Sequence, residues 1–255
     1  MTESRTTGRL AKKVILITGA ASGIGSAIAA RCIAEEGLVI CADSAEAAVF
    51  ALARDLGDSA IPVLCDVTDP ASTSRILAMA EDRFGRLDGL VHNAAAPAAD
   101  ADVVDLDLCQ WHLELNVSLT GAFLICKSAI PLLVKSGGGS IVLMASQFGS
   151  VAAARSVAYC AAKAGTIHLA KAMAVDHAHQ FIRVNSLSPG AVATSRLLSR
   201  WPDLETANRQ LGPAHLLGRI AQPAEVASAA IFLLSEDASF VTGSDLLADG
   251  GYAAR

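Results

Sequence analysis

Aromatic side chains are scarce in this chain of 255 residues: they make up 4% of it, with two tyrosines and two tryptophans. Charge is scarce too, at 18%, while hydrophobic residues reach 53%. A disordered chain shows the reverse balance, so disorder over most of the length is excluded. Lys and Arg number 20 against 25 Asp and Glu, a net charge of −5, and no basic block occurs. Nucleic-acid binding needs clustered cations for the phosphates, so no nucleic-acid partner is expected. No apolar run in the sequence is long enough to cross a bilayer, and no membrane partner is expected. Cys-x-x-Cys and His-Glu-x-x-His are both missing, and His177 and His179 are two apart, which points them to different helix faces. No metal site is expected. The six cysteines (Cys32, Cys41, Cys65, Cys109, Cys126, Cys160) are scattered. They read as reduced, mostly buried thiols of a reducing compartment. Arg5, Arg9, Lys12 and Lys13 ahead of Val14-Ile15-Leu16-Ile17 imitate a secretory leader. The apolar run stops at Thr18-Gly19, too soon for one, so a buried first strand and a cytoplasmic protein are expected.

What is present is an alternation. Short apolar runs at 14–18, 38–42, 61–65, 89–92, 140–145, 182–188 and 239–248 predict about seven strands. Between them, 23–36, 45–56, 70–84, 108–134, 153–179 and 223–234 predict helices, with Pro70 and Pro223 at starts where proline is tolerated. Strands without polar alternation are buried on both faces, as in parallel sheets, and alternation with helices implies right-handed crossovers. No linker interrupts the pattern. The reading is one α/β domain over 1–255, a Rossmann-type doubly wound parallel sheet with helices on both faces. Ligands of such sheets bind at the strands' carboxyl ends, near the switch point. Residues 194–216 lack a clean period.

The first strand runs into Thr18-Gly19-Ala20-Ala21-Ser22-Gly23-Ile24-Gly25, directly before a helix. Glycines permit a tight turn and close approach to a pyrophosphate, and the helix N-terminus adds N–H donors. Asp43 follows the second strand, eighteen residues after Gly25. A carboxylate there can accept from both adenosine ribose hydroxyls, or simply cap the next helix. Against a 2′-phosphate it costs about 4 kcal/mol per charge pair at ~4 Å and an effective dielectric of ~20. NAD is therefore favoured over NADP. Asp66, after the third strand, suits an adenine contact or a turn.

Tyr159 and Lys163 are four apart on a predicted helix and share a face. Removing a hydride from an alcohol carbon requires a base for the hydroxyl proton. A free tyrosine, with a pKa of ~10, is too weakly ionised, and lowering it by about 3 units takes ~4 kcal/mol. One ammonium nearby supplies about that much, the other reading being an aromatic packing residue beside a solvated lysine. Ser146, just after a predicted strand, could hold the substrate oxygen or merely form a turn. Asn116 inside a predicted helix suggests a polar task or a buried structural amide.

Taken together, these residues resemble the short-chain dehydrogenase/reductase family, from about residue 10 to the C-terminus. The match covers Thr18-Gly19-x-x-x-Gly23-Ile24-Gly25, Asp66-Val67, Asn116, Ser146, Tyr159-x-x-x-Lys163, Pro189-Gly190 and Thr194. The C-terminal Gly243-Ser244-x-Leu246-x-x-Asp249-Gly250-Gly251 is similar as well. The resemblance implies Tyr159 as acid/base, Lys163 lowering its pKa and binding the nicotinamide ribose, and Ser146 positioning substrate. It implies Asn116 holding a water that links Lys163 to solvent. It also implies a cofactor site of Gly19, Ser22, Gly23, Ile24, Gly25, Asp43, Asp66, Val67, Asn93, Ala94, Pro189, Gly190, Val192 and Thr194, beside Tyr159 and Lys163. One departure stands out: the family's Asn-Asn-Ala-Gly reads His92-Asn93-Ala94-Ala95 here, with His92 expected to pack. Relatives of this kind are commonly tetramers, and the two long Ala-rich helices suit close self-packing into a homotetramer or homodimer.

Substrate contacts are expected from Ser146, Gln147, Phe148 and Tyr159, with Ala94 to Ala98, Arg155 and Ala191 around them. Residues 194–216, long and irregular, are expected to form a lid over substrate. That segment carries Leu197, Leu198, Trp201 and Leu204 beside Arg196, Arg200 and Arg209. The arginines read as solvent-facing, with pairing to a substrate carboxylate as the other option. The function expected is NAD-dependent interconversion of a secondary alcohol and a ketone. The alternatives are an NADPH-dependent β-ketoacyl-type reductase and a non-catalytic NAD-sensing module.

Overall fold

The computed structural model describes residues 7–254. Arg5 of the leader-like cluster lies outside them. Seven strands form one sheet: β1 (Val14–Thr18), β2 (Leu38–Asp43), β3 (Ala60–Leu64), β4 (Gly89–His92), β5 (Gly139–Met144), β6 (Ile182–Pro189) and β7 (Asp245–Ala248). Their order is β3-β2-β1-β4-β5-β6-β7, and every pairing is parallel. The order reverses between β1 and β4, which pair from Ile15 opposite Gly89 to Thr18 opposite His92. The crevice at that reversal is where such sheets receive ligands.

The helices are α1 (Gly23–Ala34), α2 (Glu46–Leu56), α3 (Pro70–Phe84), α4 (Leu108–Leu115), α5 (Gly121–Lys135), α6 (Val157–His177), α7 (Ser195–Leu198), α8 (Leu204–Leu211) and α9 (Pro223–Leu234). The strands divide their side chains between two cores, which explains their lack of polar alternation. Along β1, Ile15 and Ile17 pack with residues of α1, α2 and α9, whereas Val14 and Leu16 pack with α3, α5 and α6. Two helix starts fall where the prolines predict. Asp69 caps α3 by accepting from the N–H groups of Ala71 and Ser72 at 2.9 and 3.1 Å. Glu225 closes a capping box at α9, accepting from the Gln222 N–H at 2.8 Å.

Four elements differ from the sequence reading by more than two residues. The predicted helix at 108–134 is broken into α4 and α5 by a π-helical turn, Asn116–Thr120, where the Gly121 N–H reaches back five residues to the Asn116 carbonyl. Helix α6 starts at Val157, not at 153, because Arg155 takes a positive φ of 54° and its carbonyl accepts from the Ala101 N–H at 3.1 Å. The last strand is only Asp245–Ala248; Gly243, at φ 69°, turns the chain just before it. Residues 194–216 contain α7, α8 and a 3₁₀ turn, Gly212–Ala214. The expectation about long apolar runs also needs correcting. Leu108–Lys135 is helical over 28 residues and is long and apolar enough, by length and composition, to cross a membrane. Polar residues at helical intervals hide this in the linear sequence. Its inner face is in the core: Ala122, Ile125, Cys126, Ala129, Leu132 and Leu133 are buried. Of the cysteines, Cys32, Cys41, Cys65 and Cys126 are buried, Cys160 is half-buried and Cys109 is exposed.

Candidate active site

The site is built at the carboxyl ends of β1, β4, β5 and β6. Its floor is the glycine turn after β1. Gly19 has φ 63°, and a Cβ there would lie 2.7 Å from the Ala94 nitrogen. At Gly25 a Cβ would run into the Gly19 carbonyl oxygen. Asn93 fixes the same carbonyl, donating from Nδ2 at 2.8 Å. The Thr18 hydroxyl accepts from the Asn93 and Ala94 N–H groups at 3.2 and 3.4 Å. Ala95, which replaces the family's glycine, does not have a positive φ, so the loop needs no glycine there. The first turn of α1 carries no acidic residue, and Ser22 makes no side-chain cap. Its N–H groups are thus free to meet an anion. This turn fits the pyrophosphate of a dinucleotide.

Asp43 connects the turn to the next loop. Its Oδ2 accepts from the Ala21 N–H at 2.9 Å and its Oδ1 from the Ala45 N–H at 3.0 Å. A carboxylate has about four acceptor positions, so two remain for ribose hydroxyls. Asp66 makes a turn, its Oδ1 accepting from the N–H and hydroxyl of Thr68 at 2.8 and 2.7 Å. Val67 is buried and faces Gly121, where a Cβ would lie 2.8 Å from Val67 Cγ2. On the far side, Gly190 follows β6, and a Cβ there would lie 2.8 Å from His215 Nε2 and 2.9 Å from Gln147 Oε1. Val192 is buried and bridges to Ala221. Thr194 accepts from the Leu197 N–H at 3.3 Å, capping α7, with its methyl group against Gly23. Residues 189–194 therefore return to the glycine turn.

Ser146 and Tyr159 meet. Ser146 follows β5 and is buried, its hydroxyl accepting from the Phe148 N–H at 3.2 Å and lying close enough to Tyr159 to lower its pKa. Burial holds the Tyr159 pKa above its ordinary value; the Ser146 hydroxyl and then the charge of Arg196 pull it down, while Cys160 and Glu114 push it up. Lys163 shares the face of α6, its Nζ 5.7 Å from the Tyr159 ring centroid. It donates to the Met144 carbonyl at 2.7 Å. Burial, with the charge of Arg196, lowers Lys163 to about 8. The Lys163 ammonium is held by a backbone carbonyl, and Arg196 is a second cation whose charge lowers the Tyr159 pKa.

Asn116 does not join this cluster. The π turn leaves its side chain exposed and buries Ser118 instead. The Ser118 carbonyl accepts from Thr166 Oγ1 on α6 at 3.5 Å. Spacing carried the signal: Gly121 sits against Val67, and position 118, three earlier, shares that side of the helix. His92 is 1% exposed, with Thr18 Oγ1 3.0 Å from its Nδ1. Its Nε2 has no hydrogen-bond partner. Burial, reinforced by the Lys163 charge, lowers His92 to about 3.

Two further residues went unrecognised in the sequence. His215 is buried and accepts from the Ala191 N–H at 3.2 Å through Nε2, holding the exit of β6. Tyr252 lies 5.4 Å from His215 and 5.8 Å, edge-on, from Phe148. Gln147 is 4% exposed, and its Oε1 has no hydrogen-bond partner. The arginines separate. Arg155 pairs with Asp100 at 2.9 Å, Arg209 donates to Thr206 at 3.3 Å, and Arg200 is exposed. Arg196 is exposed too, and donates to the carbonyls of Ala95 and Ala96.

A family profile described as enoyl-(acyl carrier protein) reductase matches residues 19–253. The chain is 41% identical over 247 residues to the cis-4-hydroxycyclohexanecarboxylate dehydrogenase of Sinomonas cyclohexanicum, covering 96% of this chain and 98% of that protein. It is 39% identical over 251 residues to the D-threitol dehydrogenase of Mycolicibacterium smegmatis, covering 97% and 95%. A crystal structure of a short-chain dehydrogenase/reductase from Burkholderia xenovorans matches with a TM-score of 0.91 at 40% identity, covering 97% of this chain and 99% of that one. The chain belongs to the short-chain dehydrogenase/reductase family. It is an oxidoreductase of the class that acts on CH–OH groups with a nicotinamide cofactor.

Proposed function

We propose that this protein is an NAD-dependent dehydrogenase that oxidises a small secondary alcohol to the ketone. The observation that carries this reading is Tyr159 beside the buried Ser146, with Lys163 on the same face of α6, its Nζ 5.7 Å from the tyrosine ring centroid. When bound, the nicotinamide supplies a hydride acceptor. Tyr159, as phenolate, takes the proton from the substrate hydroxyl at Oη, and Ser146 Oγ holds the same oxygen. Lys163 holds the nicotinamide ribose. The turn of Gly19, Ser22, Gly23, Ile24 and Gly25 meets the pyrophosphate, with Asn93 and Ala94 beside it. Asp66 and Val67 flank the adenine, while Pro189, Gly190, Val192 and Thr194 border the carboxamide. Gln147 and Phe148 face substrate, and the segment 194–216 closes over it.

Asp43 supports NAD over NADP. It has no ion-pair partner among the described residues. A 2′-phosphate would meet an uncompensated carboxylate, at about 4 kcal/mol per charge pair. The same argument weighs against the NADPH-dependent reductase of carrier-bound thioesters, which the family profile's description alone favours. Two relatives with names that specify a hydroxylated cyclohexane acid and a four-carbon polyol support a small polar alcohol.

The test is NADH formation across secondary alcohols, polyols and hydroxy acids, with Tyr159→Phe as control. The control should lose about 10²- to 10⁴-fold in kcat. The phenolate is the active form, so kcat/KM for oxidation should rise with pH, and burial of Tyr159 places that rise in the alkaline range. A Tyr159→Phe enzyme with full turnover would end this reading. NADP reduced as efficiently as NAD would end the cofactor assignment.

A further inference from the structure

Among the described residues, Arg196 is a cation without a counter-ion. From α7 it crosses to the loop after β4, donating to the Ala95 carbonyl at 2.7 Å and the Ala96 carbonyl at 3.3 Å. Those bonds use two of the five guanidinium N–H donors. Among the described residues no carboxylate ion-pairs with it, whereas Arg9, Arg86, Arg155 and Arg219 each have a partner. Its position is not an ordinary surface. Thr194, two residues earlier, lies against Gly23, and Ala95 and Ala96 follow directly on Asn93 and Ala94 of the cofactor crevice. Its charge reaches both Tyr159 and Lys163.

Arg196 therefore adds positive charge near Tyr159 and Lys163 from its place against the loop after β4, which favours an incoming anion. The anionic residue nearest in effect is Glu114, which is 2% exposed and also bears on Tyr159. Its Oε1 accepts from the Ala99 N–H at 2.9 Å and from Gln110 Nε2 at 3.3 Å, and its Oε2 has no partner. Glu114 does not neutralise Arg196. Nor do the cofactor phosphates have to, since the free N–H groups of α1 are placed for them. Arg196 instead projects past Ala94 onto the part of the loop beyond the glycine turn.

We propose that Arg196 binds a carboxylate of the substrate, so that the alcohol oxidised is a hydroxycarboxylate with its hydroxyl at Ser146 and Tyr159. This deepens the dehydrogenase reading and rests on it. Guanidinium is suited to the task because its planar donors match a carboxylate in two-point contact.

The test compares wild type, Arg196→Met and Arg196→Lys on 4-hydroxycyclohexanecarboxylate and on the uncharged 4-methylcyclohexanol. Wild type should prefer the carboxylate. Arg196→Met should cut the ratio of kcat/KM values, charged over neutral, about 10- to 100-fold, the scale of a charge-assisted hydrogen bond. Most of this should appear in KM for the acid, and Arg196→Lys should restore part of it. NADH fluorescence gives the cofactor dissociation constant, which should not follow the acid's KM. Three results would overturn the proposal. One is an unchanged ratio with both substrates impaired, which would make Arg196 a brace between α7 and the 95–96 loop. Another is NADH affinity falling in step, which would assign it to the phosphates. The third is a wild type without preference for the acid. A binding readout separates the two levels: cyclohexanecarboxylate titrated into the protein–NADH complex. If it binds through Arg196 while no alcohol is oxidised, the dehydrogenase reading fails and the anion site stands. If neutral alcohols turn over and the acid shows no advantage, the reverse holds.

Discussion

A histidine at the end of β4 is required to stay neutral. His92 is 1% exposed, and burial together with Lys163 lowers it to about 3. In the unfolded chain it titrates near ~6.5. Between those values the unfolded state binds a proton that the folded state does not, so stability rises with pH across the window. The contribution is complete above the unfolded pKa and is lost as pH falls toward the folded one. Its share of the slope approaches about 1.4 kcal/mol per pH unit. His92→Asn keeps a polar partner for Thr18 and removes the titration. We expect the unfolding free energy of wild type minus that of His92→Asn, in urea at fixed protein concentration, to be level above pH 7. It should fall steadily from pH 6.5 toward pH 4. A difference that ignores pH would show that His92 protonates in the fold as it does in solution.

The π turn between α4 and α5 decides which residue is buried there. A turn wider by one residue sends Asn116 outward and Ser118 inward. Exposed substitutions away from caps and networks usually change stability by less than about 0.5 kcal/mol. Asn116→Ala should therefore remain within that margin and within about two-fold of wild-type kcat/KM, measured on the substrate that the alcohol panel identifies. A hundred-fold loss would restore Asn116 to the site. The error has a physical origin. Composition within a helix gives its apolar face, but a single inserted residue rotates that face without leaving a mark in the pattern. Elements bounded by covalent constraints were far more legible. Pro70 and Pro223 open α3 and α9 where the sequence places them, and Gly85, at φ 67°, closes α3. The glycine turn was legible for the same reason, since Gly19 and Gly25 leave no room for a side chain. Residues 153–156 are the opposite case. Ala153 and Ala154 favour a helix, but the bond from the Ala101 N–H to the Arg155 carbonyl overrides that preference. Arg196 could be named from the sequence but not placed, because where an exposed arginine goes depends on the path of α7 against the loop after β4.

At the scale of the molecule, the outer faces of α4, α5 and α6 are unusually apolar for surface. Leu113 is 44% exposed, Phe123 49% and Val175 81%. Between these, α6 presents Ala161, Ala164 and Ala172, small enough for another helix to approach closely. This also explains why Leu108–Lys135 meets a membrane helix's length and composition while its inner face lies in the core. The outer face needs a cover, and the cover we propose is a second copy of the chain, giving a homodimer or homotetramer. A stable contact would bury at least about 1,000 Å² in total. Light scattering should then report a multiple of the 26.1 kDa chain at micromolar concentration. The double variant Phe123→Asp and Val175→Asp should move the mass toward a single chain, because each charge would be desolvated in the contact. Both side chains are exposed in the subunit, so its circular dichroism should be retained. A wild type that elutes at 26.1 kDa would remove the proposal, as would a double variant that assembles unchanged.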